Sequence, residues 1–154
     1  MMIFFLYRKP HKAFFGQKDA QQASVITRMV KDLKYDLDIE ICPIIREPDG
    51  LAMSSRNIFL NPLQREKAAI IYRSLLTAKE LINSGERDSY TVIKAVNNHF
   101  LKETSVHLNY IRIVEKESFI EPKTLEDGKQ YYIIIACKIG TTRLLDNLLV
   151  IPAI

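Results

Sequence analysis

Two segments of the chain carry side chains that together suit an anionic ligand. The first is Phe14-Phe15-Gly16-Gln17-Lys18-Asp19-Ala20-Gln21-Gln22. An apolar strand end runs into Gly16 and then into polar residues at a helix start, where unpaired amides and the helix dipole attract negative charge. Gly16 lets a ligand come close to the backbone. Lys18 adds a point charge suited to phosphate, Asp19 can accept from ribose hydroxyls, and Gln22 can reach a polar substrate group. The same residues also suit an ordinary capped helix with solvated Lys and Gln. The second segment is Asp49-Gly50-Leu51-Ala52-Met53-Ser54-Ser55-Arg56-Asn57. Ser54 and Ser55 donate hydrogen bonds and Arg56 can chelate two oxygens, so the three suit phosphate. A mobile loop carrying them can close on a triphosphate and stabilise charge that develops in a transition state. It also suits a polar linker between two units.

Other chemistries lack their residues. There is no GxxxxGK[ST], no GxGxxG and no HExxH. His11, His99 and His107 are scattered, so neither a Ser–His–Asp triad nor a zinc spacing can be drawn, and no metal ligands are expected. His99 reads as structural or exposed. Cys42 and Cys137 stand 95 positions apart in apolar, strand-like runs. They are expected to be free, buried thiols of a reducing cytoplasm. Arg143 and Asp146 are expected to form a structural salt bridge in a tight connection.

The elements that must position these residues follow from periodicity. Ala20 to Leu33 reads as a helix capped by Asp19, with Val25, Ile26, Met29, Val30 and Leu33 on one face. Ile39 to Cys42 alternates as a strand that Pro43 ends. Arg46 to Asn57 has no periodicity and reads as an exposed loop around the Pro48-Asp49-Gly50 turn. Asn61-Pro62-Leu63-Gln64 starts a helix with a capping box, expected to run to Ile82 and stop at Asn83-Ser84-Gly85. Asp88 opens a second helix whose inner face is Val92, Ile93, Val96, Phe100 and Leu101. The rest reads as strands: His107 to Val114, Gln130 to Ile139, and Leu144 to Ile151. In the first of these, Leu108, Tyr110 and the Ile111/Ile113 pair compete for the core face. Residues 1–44 therefore read as part of an α/β layer, 45–60 as a loop and linker, and 61–154 as a small α+β unit with a helix pair and an antiparallel sheet.

Composition narrows the classes further. Among 154 residues, 22 Lys+Arg against 18 Asp+Glu leave a net charge of +4, and 47% of residues are hydrophobic. That excludes a disordered chain, and only 5 Gly and 6 Pro exclude collagen-like repeats. The basic residues form no stripe and have no aromatic stacking platform beside them, so nucleic acid is not an expected partner. The apolar runs Met1–Tyr7 and Ile133–Cys137 are far short of the ~18 residues that span a bilayer. Met1–Tyr7 lacks the flanks of a signal peptide and reads as a truncated or initial strand.

Phe14–Gln22 (FFGQKDAQQ), Ile45–Asn57 (IREPDGLAMSSRN) and Ile139–Asn147 (IGTTRLLDN) closely resemble, in this order, the pantoate–β-alanine ligase family. The likeness runs from about Lys9 to Leu149. It implies a relative of the class I aminoacyl-tRNA synthetase-like nucleotidyltransferases. Residues 1–44 would then be the end of a Rossmann-like nucleotide-binding domain, and 61–154 a lid domain. It implies ATP-dependent condensation of pantoate with β-alanine through pantoyl adenylate, with Mg²⁺ accompanying ATP. By resemblance, Gly16 and Asp19 contact the ribose region, with Gln17 beside them, Lys18 the phosphates and Gln22 pantoate. The backbone of Ile45 and Met53 faces adenine, and Ser54, Ser55 and Arg56 form the phosphate-binding motif. Lys18, Ser54, Ser55 and Arg56 are the expected catalytic set. The family's HxGH-type motif is missing, because Lys12-Ala13 follow His11. The chain is therefore expected to be the C-terminal half, inactive alone, with self-association open to it. The alternative expectation is a non-catalytic folding or self-association module.

Overall fold

The computed structural model describes Phe5 and residues 8–153, in two compact units, Met1–Ile44 and Ile45–Ile154. In the first, β1 (Lys12–Gly16) leads through a short 3-10 turn (Gln17–Asp19) into α1 (Ala20–Asp32), followed by β2 (Asp38–Cys42). β1 and β2 pair in parallel, from Lys12 opposite Asp38 to Gly16 opposite Cys42. Parallel neighbours need a crossover, and α1 supplies it. Asp19 caps α1 by accepting from the Gln22 amide at 3.3 Å. Ile26, Val30, Leu37 and Phe5 form the core, with Ala13, Phe15 and Ile39 of the sheet packed against it. The buried face of α1 is Ala20, Ala23, Ile26 and Val30, with Met29 packed against the core, so Ile26, Met29 and Val30 of the expected stripe face inward and Val25 and Leu33 do not. Val25 and Leu33 are exposed. Val25 lies about a third of a turn from the Ile26–Val30 line, and small Ala23 takes the core-facing place. The strand expected over Met1–Tyr7 lies outside the described residues, apart from buried Phe5.

The second unit is a three-stranded antiparallel sheet covered by helices. Asn61 and Gln64 form the expected capping box (2.9 and 3.1 Å) at the start of α2 (Pro62–Ala68). The single helix expected to Ile82 is interrupted. The Ala69 amide reaches back to the Glu66 carbonyl at 3.3 Å, a tightened turn, and α3 runs from Ile70 to Asn83. Asp88 caps α4 (Ser89–Leu101) by accepting from the Thr91 amide at 2.8 Å. Ile71, Leu75, Ala78 and Ile82 of α3 meet Val92, Val96 and Phe100 of α4 over the sheet. Leu101, expected inside, is exposed instead: one position past Phe100, it is turned off the buried line.

The sheet order is β3 (Val106–Glu115), β4 (Tyr131–Ile139), β5 (Thr142–Val150), with β4 central and nearly all buried. The register between β3 and β4 steps from Leu108 opposite Cys137 to Tyr110 opposite Ala136, leaving Asn109 as an extra residue. This bulge resolves the competition seen in the sequence. Val106 and Leu108 pack on the core before it, Ile111 and Ile113 after it.

Candidate functional site

The segment 45–57 is built as a braced hairpin. Arg46 and Ala52 form an antiparallel bridge. The Glu47 amide donates to the Leu51 carbonyl, and the Met53 amide to the Ile45 carbonyl, both at 2.9 Å. A turn closes it, the Gly50 amide donating to the Glu47 carbonyl at 2.8 Å. Gly50 has φ +90°, and a Cβ there would fall 2.0 Å from Tyr72 Cδ1, so both backbone and packing require glycine. Leu51 and Ala52 are buried, which corrects the expectation of an exposed loop over 46–57. Pro48 and Asp49 at the turn are exposed, as are Met53, Ser55 and Arg56 on the returning side, with Ser54 and Asn57 half-buried.

Three side chains do the bracing. Arg46 donates to both carboxylate oxygens of Asp146 (2.6 and 3.1 Å), to the Gly50 carbonyl (2.9 Å) and to the Asn147 carbonyl (3.1 Å). Its guanidinium lies 4.0 Å from the centre of the Tyr72 ring. The Asp146 side chain is 1% exposed, and removing one partner of such a buried pair costs about 3–5 kcal/mol. Arg65 of α2 pairs with Asp49 and, at 2.8 Å, with Glu47. Its guanidinium holds the carboxyls of Glu47 and Asp49 below their ordinary values. Asn57 Nδ2 donates to Glu47 Oε1 (3.1 Å) and to the Ala52 carbonyl (3.2 Å).

The phosphate-suited residues sit at the end of this brace. Ser54 caps a 3-10 helix (Ser55–Phe59), its hydroxyl accepting from the Arg56 amide at 3.3 Å. Ser55 and Arg56 are exposed, and Arg56 Nη1 lies 3.4 Å from the Arg143 carbonyl. The expected Arg143–Asp146 salt bridge is not formed, because Asp146 faces the helices and takes Arg46 instead. Neighbours on a strand point to opposite faces, so Arg143, three positions from Asp146, lies on the other face and is exposed.

In the first unit, Gly16, Gln17, Lys18, Asp19 and Gln22 follow one another from the end of β1 into the first turn of α1. Gly16, Asp19 and Gln22 are exposed, while Gln17 and Lys18 are half-buried. A Cβ on Gly16 would meet no atom within 4 Å, so nothing in the packing of the chain asks for glycine there. Cys137 is buried, and burial pushes its thiol up to about 12. Cys42 is half-buried and, like Cys137, free.

Sequence reasoning missed Arg46, Arg65, Tyr72 and Asn57 as the supports of the loop. One signal was available. Asp146 stands in Leu144-Leu145-Asp146-Asn147-Leu148-Leu149-Val150, and a carboxylate at a core-facing strand position must have a cation partner.

Fold and donor sets define an α/β unit and an α+β unit, each presenting polar side chains suited to an anionic ligand. A family profile described as pantoate-beta-alanine ligase matches residues 1–149, and the chain belongs to that family. The pantothenate synthetase of Thermotoga neapolitana is 47% identical over 139 residues, 90% of this chain and 49% of that protein. That of Caldicellulosiruptor saccharolyticus is 49% identical over 141 residues, 92% of this chain and 50% of that protein. The chain thus spans about half the length of the curated relatives it matches. The crystal structure of pantothenate synthetase from Thermus thermophilus superposes with a TM-score of 0.87 at 35% identity, covering 96% of this chain and 52% of that one. A pantoate-beta-alanine ligase from Francisella tularensis, complexed with beta-gamma ATP and beta-alanine, gives a TM-score of 0.66 at 28% identity, over 96% of this chain and 47% of that one. Among the described residues no helix is long and apolar enough to cross a membrane.

Proposed function

We propose that this chain is the C-terminal half of a cytoplasmic pantothenate synthetase and supplies part of the site that joins pantoate to β-alanine at the expense of ATP. The observation that carries this reading is the family match over residues 1–149, within which the braced hairpin leads into half-buried Ser54 and exposed Ser55 and Arg56. In this reading, residues 1–44 are the end of a Rossmann-like domain, and 61–154 form a lid domain behind the loop and linker of 45–60.

The reaction has two steps. A pantoate carboxylate oxygen attacks the α-phosphorus of ATP, the bond to the β-phosphate breaks, and pyrophosphate leaves. The amine of β-alanine then attacks the acyl carbon, the bond to AMP breaks, and pantothenate forms. Lys18 and Arg56 bring positive charge, and the Ser54 and Ser55 hydroxyls bring short donors, to the oxygens on which charge builds. Open space beside Gly16 lets the nucleotide approach the backbone, with Gln17 and Asp19 beside the ribose and Gln22 on pantoate. The Met53 amide is spent on the Ile45 carbonyl, so adenine would meet the Met53 carbonyl and the Ile45 amide. Among the described residues no three His, Cys, Asp or Glu side chains group as a metal cage. Mg²⁺ would arrive on the phosphates, held by their oxygens and water.

The family's HxGH-type motif is not in this sequence. Losing a single donor of that kind costs roughly 10²–10³ in rate, and with the whole motif absent the chain alone is expected to form no measurable pantothenate. Calorimetric titration with Mg·ATP tests the reading. Binding that disappears in Arg56→Ala supports it, and absence of binding in the unchanged chain overturns it. Pantothenate formed from ATP, pantoate and β-alanine by this chain alone would overturn its incompleteness. A second reading, a non-catalytic self-associating module, draws on exposed Ile58 and Phe59. A mass in light scattering that rises with concentration would favour it, as homo-oligomerisation would.

A further inference from the structure

The geometry points to Arg46 as the residue that positions the Ser54-Ser55-Arg56 donors, by locking the hairpin that carries them onto β5. The inference deepens the proposed function and rests on it for the identity of the ligand.

The argument starts from how many separate pieces one guanidinium joins. Arg46 holds a carboxylate of β5 through Asp146, a carbonyl of β5 at Asn147, a carbonyl of its own hairpin turn at Gly50, and the face of Tyr72 on α3. A plain structural ion pair would need only the first of these. The contact to Gly50 fixes the far end of the turn, and the bridge to Ala52 fixes the returning limb. From Ala52 the path to the donors is short. The Met53 amide is bonded to the Ile45 carbonyl, Ser54 caps the 3-10 helix, and Asn57 closes back on the Ala52 carbonyl. Ser54, Ser55 and Arg56 lie between those two tied points. Their places are therefore set during folding, and a ligand does not have to order the hairpin when it binds. Lysine cannot do the same, since a single ammonium lacks the planar fork that reaches two carboxylate oxygens and two carbonyls at once.

The test separates holding the fold from holding the loop. In the double variant Arg46→Met/Asp146→Leu, both buried charges are gone, and apolar replacement of a buried pair is close to neutral for stability. The double variant should therefore stay folded and melt above either single variant, Arg46→Met or Asp146→Leu, each of which leaves one charge unpaired. The bonds to Gly50 and Asn147 are lost all the same. The Gly50 and Met53 amides should exchange with deuterium at least tenfold faster, while those of β4 keep their protection. The dissociation constant for Mg·ATP should rise at least tenfold. Arg46→Lys keeps a cation against Asp146 and should not restore either readout. It also serves as the test should the double variant not fold. Unchanged exchange at Gly50 and Met53, or unchanged Mg·ATP affinity in a variant whose loop has opened, overturns the positioning role. If the unchanged chain binds no Mg·ATP, the functional reading falls while exchange still decides whether Arg46 locks the hairpin.

Discussion

Replacing Gly50 by alanine probes how tightly the hairpin is seated. Two costs are read from the structure. At φ +90° an L-residue is strained by about 1–2 kcal/mol. The new Cβ would also fall 2.0, 2.8 and 2.9 Å from three atoms of the Tyr72 ring, so the ring must leave. Its departure removes the stack with Arg46 at 4.0 Å, a contact worth roughly 0.5–2 kcal/mol when partly desolvated. Together these come to about 1.5–4 kcal/mol. Gly85, at the end of α3, is the matched control. Its φ is +101° but nothing lies within 4 Å of a Cβ there, so Gly85→Ala meets only the backbone strain, about 1–2 kcal/mol. For a chain of this size each kcal/mol moves the midpoint by about 2–4 °C. Thermal unfolding followed by circular dichroism should thus show Gly50→Ala melting clearly below Gly85→Ala. Putting Gly50→Ala into a Tyr72→Ala background should shrink its cost to that of Gly85→Ala, since the two sites couple only through the ring. Equal losses for the two glycines in the unchanged background would refute the reasoning.

Other outcomes follow from the packing and the ion pairs. Leu75 is completely buried between the helices and the sheet, so Leu75→Ala should lose about 2–5 kcal/mol in denaturant unfolding. The Glu103 carboxyl is held down at about 2, first by Lys67 Nζ at 2.6 Å and then by the Ser105 hydroxyl. Its folded value lies below its ordinary 4.5, so its contribution is present above that pH and is lost as the pH falls towards 2. Glu103→Gln should flatten that part of a melting temperature against pH curve, and an unaltered acid limb would count against the pair. In native protein, mass spectrometry after brief iodoacetamide treatment should find Cys42 alkylated and Cys137 intact, because burial keeps the Cys137 thiol protonated. Denaturation should expose both.

Short-range chemistry was legible in the sequence. Asp19, the Asn61–Gln64 box and Asp88 each cap the helix their spacing announces, because a cap is settled within three or four residues. The helix pair and the antiparallel sheet followed from periodicity. What stayed hidden depends on partners far along the chain. Whether Val25 or Ala23 faces the core depends on which face of α1 packs on β1 and β2, and the structure puts Ala23 there. No glycine or proline marks the break at Ala69. Asp146 has Arg143 three residues away yet takes Arg46 a hundred residues away, because strand alternation turns the near cation to the other face. The candidate donors themselves were legible from residue type, whereas Arg46, Arg65 and Asn57, which hold them, became visible only with the fold.

Asn109 gives β3 an unusual kind of continuity. Ten residues of β3 run against nine of β4, and the surplus is taken at one point. The strand is in effect two half-strands of opposite parity joined end to end. Even-numbered residues face inward in the first half and odd-numbered ones in the second. Such a joint lets a single edge strand put Val106 and Leu108 beneath one part of the helical layer and Ile111 and Ile113 beneath another. It does so while Arg112 keeps its outward pairing with Glu121. The length of β3 therefore acts as a phase setting as well as a span. At this position a residue counts by its presence, whatever its side chain.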